Sequence, residues 1–195
     1  PREGEEYIEQ LHHQHDTLEH LSEMINNMLL LAKTQKGLSD SQIKNVNIEN
    51  LIINLLDYYE MVAEDRGITF ERLGEFETVL GDEGLLQRLF ANLMSNAIYY
   101  AASDSIITIV ATIVTSSVTF NNVNTLNTPK RNTHTLKPSW LKITIANHLD
   151  KPLNQSEADK LFERFYRHDK NNQQHSGSGL GLSIVQAIAN AHKGT

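Results

Sequence analysis

Two short stretches hold residues whose types and spacing could do chemistry. The first is "HSGSGLGLSIVQAIANAHKGT", in which Gly177, Gly179 and Gly181 stand at alternate positions ahead of an apolar, helix-like run. Glycine reaches positive φ and leaves its N–H uncovered by a side chain. A helix starting immediately afterwards offers unpaired N–H groups and the positive end of its dipole, which together suit an anion such as a phosphate. Spacing sets two familiar phosphate loops aside. A P-loop ends in Gly-Lys-Ser/Thr, whereas Gly181 is followed by Leu182 and Ser183; a dinucleotide fingerprint follows a strand, whereas "RHDKNNQQH" precedes Ser176. For an isolated Gly-x-Gly-x-Gly the plain alternative is a flexible loop before a packing helix.

The second stretch lies upstream, in "GDEGLLQRLFANLMSNAIYYAA". Asn92, Asn96 and Tyr100 are spaced by four and share one helix face, while Leu86, Leu89, Leu93 and Ala97 line another. Amide oxygen suits Mg²⁺, a hard cation that keeps waters and borrows phosphate oxygens from its substrate. Alone, such a face reads as solvated surface. Together with the glycine loop it reads as a polar ligand surface.

Composition narrows the classes. With 195 residues and 39% hydrophobic content, the chain can bury one substantial core and a small second unit. A formal net charge of −7 gives no general basic surface for nucleic acid or an anionic membrane, so an anionic ligand must be held locally. No cysteine is present, which excludes disulfides and thiolate metal sites. No run approaches the roughly 18 to 20 apolar residues of a membrane span. The opening "PREGEEY" and closing "HKGT" read as turns at the ends of an excised fragment.

The elements that must position these residues follow from periodicity. From Glu5 to about Lys36 the pattern is helical, with Tyr7, Leu11, Leu18, Leu21, Ile25 and Met28 in one seam that Gln14 interrupts. One such helix cannot bury its stripe alone, so pairing between chains or with another segment is expected. "GLSD" ends it, and a second helix over 47–67 places Leu51, Leu55, Tyr58 or Tyr59, and Val62 on one face and closes at Gly67. "ITFERL" reads as a short strand, and residues 81–102 as a third helix with Asp82 as N-cap. "IITIVATIV" and "LKITIAN" are strand-like, joined by a polar Asn/Thr-rich insertion at about 116–139. Short helical runs follow at 156–166 and 181–192. Mixed α+β with segregated helices is the expected class.

These residues carry a family resemblance. "RLFANLMSNAIYYA" resembles the N box of sensor histidine kinases, "KLFERFYRHD" their F box and "SGSGLGLSIVQAIANAHKG" their second glycine box, in the same order. "MLLLAK" and "VAEDRG" are similar to the heavy-metal (copper/silver) sensor branch. The resemblance implies a two-layer α/β sandwich of the Bergerat (GHKL) type over 46–195, with its C-terminal strands missing. Residues 1–40 would be the second helix of a dimerisation and phosphotransfer domain. It further implies ATP and Mg²⁺ as cofactors, with Asn96 as metal ligand and Asn92 beside it near the phosphates. Tyr100 would cover the adenine, Asn147 would read it, and Arg167 would reach the γ-phosphate. Ser178, Gly177, Gly179, Gly181 and Leu182 would line the phosphates, and Phe162 and Phe165 would anchor a lid from His168 to Ser176. In ATP-hydrolysing relatives a Glu base stands one turn before the metal Asn; here that place is Asn92, so hydrolysis should be poor.

Several positions depart from the family pattern. "IANHLDKPL" stands in place of the first glycine box, so Asn147 replaces an Asp and makes a weaker, neutral bond to adenine. Tyr99 stands where many members carry a Lys or Arg, a loss worth ~1.5 to 3 kcal/mol of phosphate binding, and His175 replaces the box's first glycine. No His-Glu/Asp-x-Arg-Thr-Pro phosphoacceptor occurs in the chain; His15-Asp16 lacks that continuation, and with His12 it reads as helix surface. The expected protein is therefore the cytoplasmic ATP-binding part of a bacterial inner-membrane kinase, homodimeric through its N-terminal helix and serving a response regulator, without a nucleic-acid partner. Two rivals are a degenerate module that docks a regulator with weak or no nucleotide binding, and a conformational ATPase, which Asn92 disfavours.

Overall fold

The structure, a computed structural model, describes residues 2–34, 37–39, 41–115, 139–149, 152–167 and 178–195. Its elements are α1 (Arg2–Thr34), β1 (Lys44–Asn47), α2 (Ile48–Glu64), β2 (Thr69–Gly74), β3 (Thr78–Gly81), α3 (Glu83–Tyr100), β4 (Ile106–Thr115), β5 (Ser139–Ala146), α4 (Gln155–Lys160) and α5 (Gly181–Ala191). The fold is α+β, as expected.

Strand pairing builds two sheets. β1 and β3 form an antiparallel pair, with Val46 opposite Val79. β4 lies between β2, to which it is parallel, and β5, to which it is antiparallel. The alternation of β4 turns Ile107, Ile109 and Ala111 inward, opposite Phe70, Arg72 and Gly74 of β2. Over the same face pack α2 through Ile48, Leu51, Ile52 and Leu55, α3 through Leu86, Leu89, Phe90 and Met94, and α5 through Ile184 and Ile188. Helices on one face of a sheet make two layers around one core. Each fully buried Ile or Met in it contributes about 1.5–3 kcal/mol.

The helix starts are chemically specified. Asn47 accepts from the Asn50 N–H at 2.9 Å to open α2, and Asp82 accepts from the Leu85 N–H at 3.0 Å to open α3, as the sequence led us to expect. α2 ends near Gly67, which has φ +66, while the Ile68 N–H returns to the Ala63 carbonyl.

Three expectations need correction. On α2, Val62 is exposed and Ala63 takes the buried position, while of the two tyrosines it is Tyr59 that packs on the core. The stripe runs Leu55, Tyr59, Ala63 in steps of four, which leaves position 62 about 100° off the core face. The helical run expected over 156–166 stops at Lys160, and residues 161–165 form turns. Strands β1 and β3 were not anticipated from the sequence at all.

Among its described side chains, α1 is buried at its C-terminal end. Asn27, Leu31 and Thr34 are buried, and Asn27 Oδ1 accepts from Arg88 Nη2 on α3. Its seam residues Tyr7, Leu11, Leu18, Leu21, Ile25 and Met28 are all exposed, from 45% to 71%.

Candidate functional site

α3 and α5 run antiparallel, held at the two ends of α5. At its far end the His192 ring clamps the start of α3: Nε2 accepts from the Asp82 N–H at 3.0 Å, and Nδ1 lies 2.8 Å from the Ile188 carbonyl. Accepting at Nε2 leaves the proton on Nδ1, so the imidazole is neutral in this arrangement. From Asp82 to Asn92 and from His192 back to Gly181 the helices rise by about the same amount, roughly 15 Å each. The start of α5 is thereby brought level with the amides of α3. A Cβ at Gly181 would sit 3.2 Å from Asn92 Oδ1 and 3.7 Å from Asn96 Nδ2.

α5 begins without a side-chain cap, at Leu180. Its first N–H groups and dipole therefore face the same place as the two amides. Asn92 is oriented by its own helix, since its Nδ2 donates to the Arg88 carbonyl at 2.9 Å. That bond leaves Oδ1 directed toward Gly181. Ser183 is buried and donates to the Leu180 carbonyl at 2.8 Å, which tightens the first turn.

Gly179 is required for a different reason. It has φ +66, and a Cβ there would lie 2.8 Å from the Phe165 carbonyl carbon and 3.0 Å from the Tyr166 carbonyl oxygen. The Phe165 N–H in turn donates to the Gly179 carbonyl at 2.9 Å. What comes close to this glycine is the chain's own backbone, the segment leading to Arg167. Phe162 and Phe165 are about half exposed.

The other end of α3 is equally built. Arg66, half-buried after α2, donates through Nη1 to the Ile98 carbonyl and to the Tyr99 carbonyl at 3.1 Å, and through Nη2 to the Ala101 carbonyl at 2.6 Å. These are carbonyls that the helix end leaves open. Tyr100 is 40% exposed, with the Tyr99 ring edge-on at 4.7 Å. Beyond it, the Ala102 N–H donates to the His148 carbonyl at 2.8 Å, and Ala101 bridges to Leu149. Asn147 is thereby carried next to the end of α3. Its Nδ2 is buried without a hydrogen-bond partner among the described residues, a donor that awaits an acceptor.

Of the residues expected to act together, Asn92, Asn96 and Gly181 meet directly; Gly179 and the segment before Arg167 join them through backbone; Ser178 and Leu182 flank the glycines. Tyr100 and Asn147 sit at the far end. Gly177, His175, the stretch from His168 to Ser176, and the insertion at 116–139 apart from Ser139 lie outside the described residues. Arg66 and His192 carried no sequence signal of a site role. On α1, His15, Asp16 and Glu19 bring three ligand atoms within 4.8 Å of one another, but all are exposed and His15 makes an ordinary i,i+4 pair with Glu19 at 3.8 Å.

Residues 81–195, which hold every part of this arrangement except Arg66, match the family model described as histidine kinase-, DNA gyrase B-, and HSP90-like ATPase. The chain belongs to that family. Among relatives of this ATPase domain, sensor histidine kinase CusS of Escherichia coli O6:H1 is 30% identical over 181 residues, 92% of this chain and 33% of that protein. Sensor histidine kinase HprS of Escherichia coli strain K12 is 33% identical over 181 residues, 92% of this chain and 34% of that protein. The chain spans about a third of the length of these relatives. Full-length ShkA, solved in complex with AMPPNP, shares the fold with a TM-score of 0.61 at 20% identity, over 88% of this chain and 31% of that one. The expected resemblance to sensor histidine kinases is borne out.

Proposed function

We propose that this chain is the ATP-binding catalytic portion of a two-component sensor histidine kinase, transferring the γ-phosphoryl group of ATP to a histidine outside these 195 residues. The observation that carries the reading is the approach of Gly181, at the uncapped start of α5, to the carboxamides of Asn92 and Asn96. Donor N–H groups and a helix dipole suit phosphate oxygens, while an amide oxygen suits Mg²⁺. The Asn147 Nδ2, without a partner among the described residues, fits a ligand acceptor such as a ring nitrogen of adenine, on which the Tyr100 ring would stack.

In this reading Asn96 ligates Mg²⁺ and Asn92 orients beside it. With no carboxylate at position 92 to activate water, the γ-phosphoryl group is kept for a histidine acceptor. Arg167 offsets charge on it during transfer. Residues 46–195 act as the catalytic unit. Residues 1–40 act as a dimerisation helix, whose exposed seam from Tyr7 to Met28 is the surface that a second copy and a neighbouring helix cover. The partners of the intact kinase are a response regulator and a membrane anchor, with this part on the cytoplasmic side of an inner membrane; among the described residues no helix is long and apolar enough to cross one. No specific observation favours a degenerate binding module.

Titrating a fluorescent ATP analogue with Mg²⁺ tests the reading. Saturable binding that Asn96→Ala abolishes supports it, and absence of saturable binding at high micromolar nucleotide contradicts it.

A further inference from the structure

Three carbonyl groups at one helix end converge on a single cation. Arg66 donates to the Ile98, Tyr99 and Ala101 oxygens, across the junction where α3 stops. α3 has no basic residue in its own last turn, so the guanidinium from the neighbouring segment supplies both the missing donors and the positive charge that a helix C-terminus favours. The planar fork matters here: two nitrogens at a fixed separation reach carbonyls before and after the break, which one ammonium cannot do at once.

The Arg66 backbone is also tied down. Its carbonyl accepts from the Asp104 N–H at 3.0 Å, and the following Gly67 has φ +66 and lies so close to the Asp104 side chain that no Cβ fits between them. The Arg66 stem therefore stands on a fixed turn. Its head fixes the carbonyls around Tyr100 from both sides, and one residue beyond Ala101 the chain passes to the Ala102–His148 bond and so to Asn147.

From this we infer that Arg66 is a positioning residue for the base-binding end of the site: it sets where α3 ends, and so where the Tyr100 ring and the Asn147 carboxamide stand relative to each other. The role rests on the nucleotide reading above. It is separate from the phosphate end, where Asn92, Asn96 and Gly181 are held by the packing of α3 on α5 and by His192.

The two ends make the inference testable, because a misplaced base-binding end lowers base preference, whereas a generally loosened fold weakens all nucleotides alike. The 195-residue chain and its Arg66→Met and Arg66→Lys variants are titrated with fluorescent N-methylanthraniloyl ATP and GTP in the presence of Mg²⁺, and amide exchange at Ala102 is followed alongside. Arg66→Met is expected to weaken ATP-analogue binding about tenfold, to leave GTP-analogue binding little changed, and to speed exchange at Ala102. Arg66→Lys should fall between, since one ammonium satisfies fewer of the carbonyls; if Arg66→Met fails to fold, this variant carries the comparison. Unchanged base preference in both variants, with the parent chain binding saturably, overturns the role of Arg66 alone. A parent chain that binds neither analogue overturns the nucleotide reading, and this role falls with it.

Discussion

Phe165 and Gly179 hold each other in place: both adopt left-handed backbone, at φ 65 and φ 66, and the Phe165 N–H donates to the Gly179 carbonyl at 2.9 Å. Two chain segments that the resemblance assigns to separate boxes are thus one interlocked unit. Gly179→Ala would impose left-handed strain on a Cβ residue and drive that Cβ into the backbone at 165 and 166. We expect a loss of about 2–4 kcal/mol of stability, read from urea denaturation. A change below half a kilocalorie would mean that the contact does not hold the segment.

Gly181→Ala should behave in the opposite way. Its φ is not left-handed, and alanine improves a helix first turn by up to about 1 kcal/mol. The added Cβ presses on Asn92 at 3.2 Å. Thermal unfolding should therefore be unchanged or slightly raised while Mg·ATP affinity falls; stability and affinity moving together would contradict the assignment.

Asn147 offers a similar separation of effects. Its buried Nδ2 has no hydrogen-bond partner among the described residues, and an unsatisfied buried group costs about 1–3 kcal/mol. Asn147→Ala should leave stability level or higher, by denaturant titration, and yet lower affinity for ATP. Asn147→Asp should lower that affinity too, because a carboxylate cannot donate to the acceptor that the Nδ2 group would meet.

Tyr59 gives a pH dependence independent of any ligand. Burial, and secondarily the neighbouring Tyr58, raise its pKa above the ordinary 10.0. The folded state thus resists ionisation that the unfolded chain allows. Its contribution to stability is whole below about pH 10 and is lost as pH rises through the raised value. Tyr59→Phe should flatten the alkaline fall of stability, at little cost at neutral pH, since the Tyr59 hydroxyl makes only a 3.4 Å bond to the Ala91 carbonyl. An unaltered alkaline limb would refute this.

Most of the layer structure was legible in the sequence because α2, α3, β4 and β5 carry strong 3.6- or 2-residue periods. β1 and β3 were not, since four residues with at most two inward positions each leave no period to read, and their pairing is set by contacts distant in sequence. Val62 was misplaced because the stripe of α2 advances by fours through Tyr59 to Ala63. In the site, the spacing of Asn92, Asn96 and Tyr100 correctly gives one helix face. The reason for Gly179 did not emerge, because a glycine required by the chain's own backbone looks the same in sequence as one required by a ligand. Arg66 was hidden for a related reason: its three acceptors lie more than thirty residues away.

The most direct test of the central claim replaces Mg²⁺ by Mn²⁺ and follows paramagnetic broadening of assigned amide resonances as Mn·ATP is added. The account predicts that the Asn96 and Asn92 side-chain amides and the Gly181 and Leu182 backbone amides broaden first, and that Asn96→Ala removes the effect. Broadening centred on His15, Asp16 and Glu19, or none at the start of α5, would contradict it.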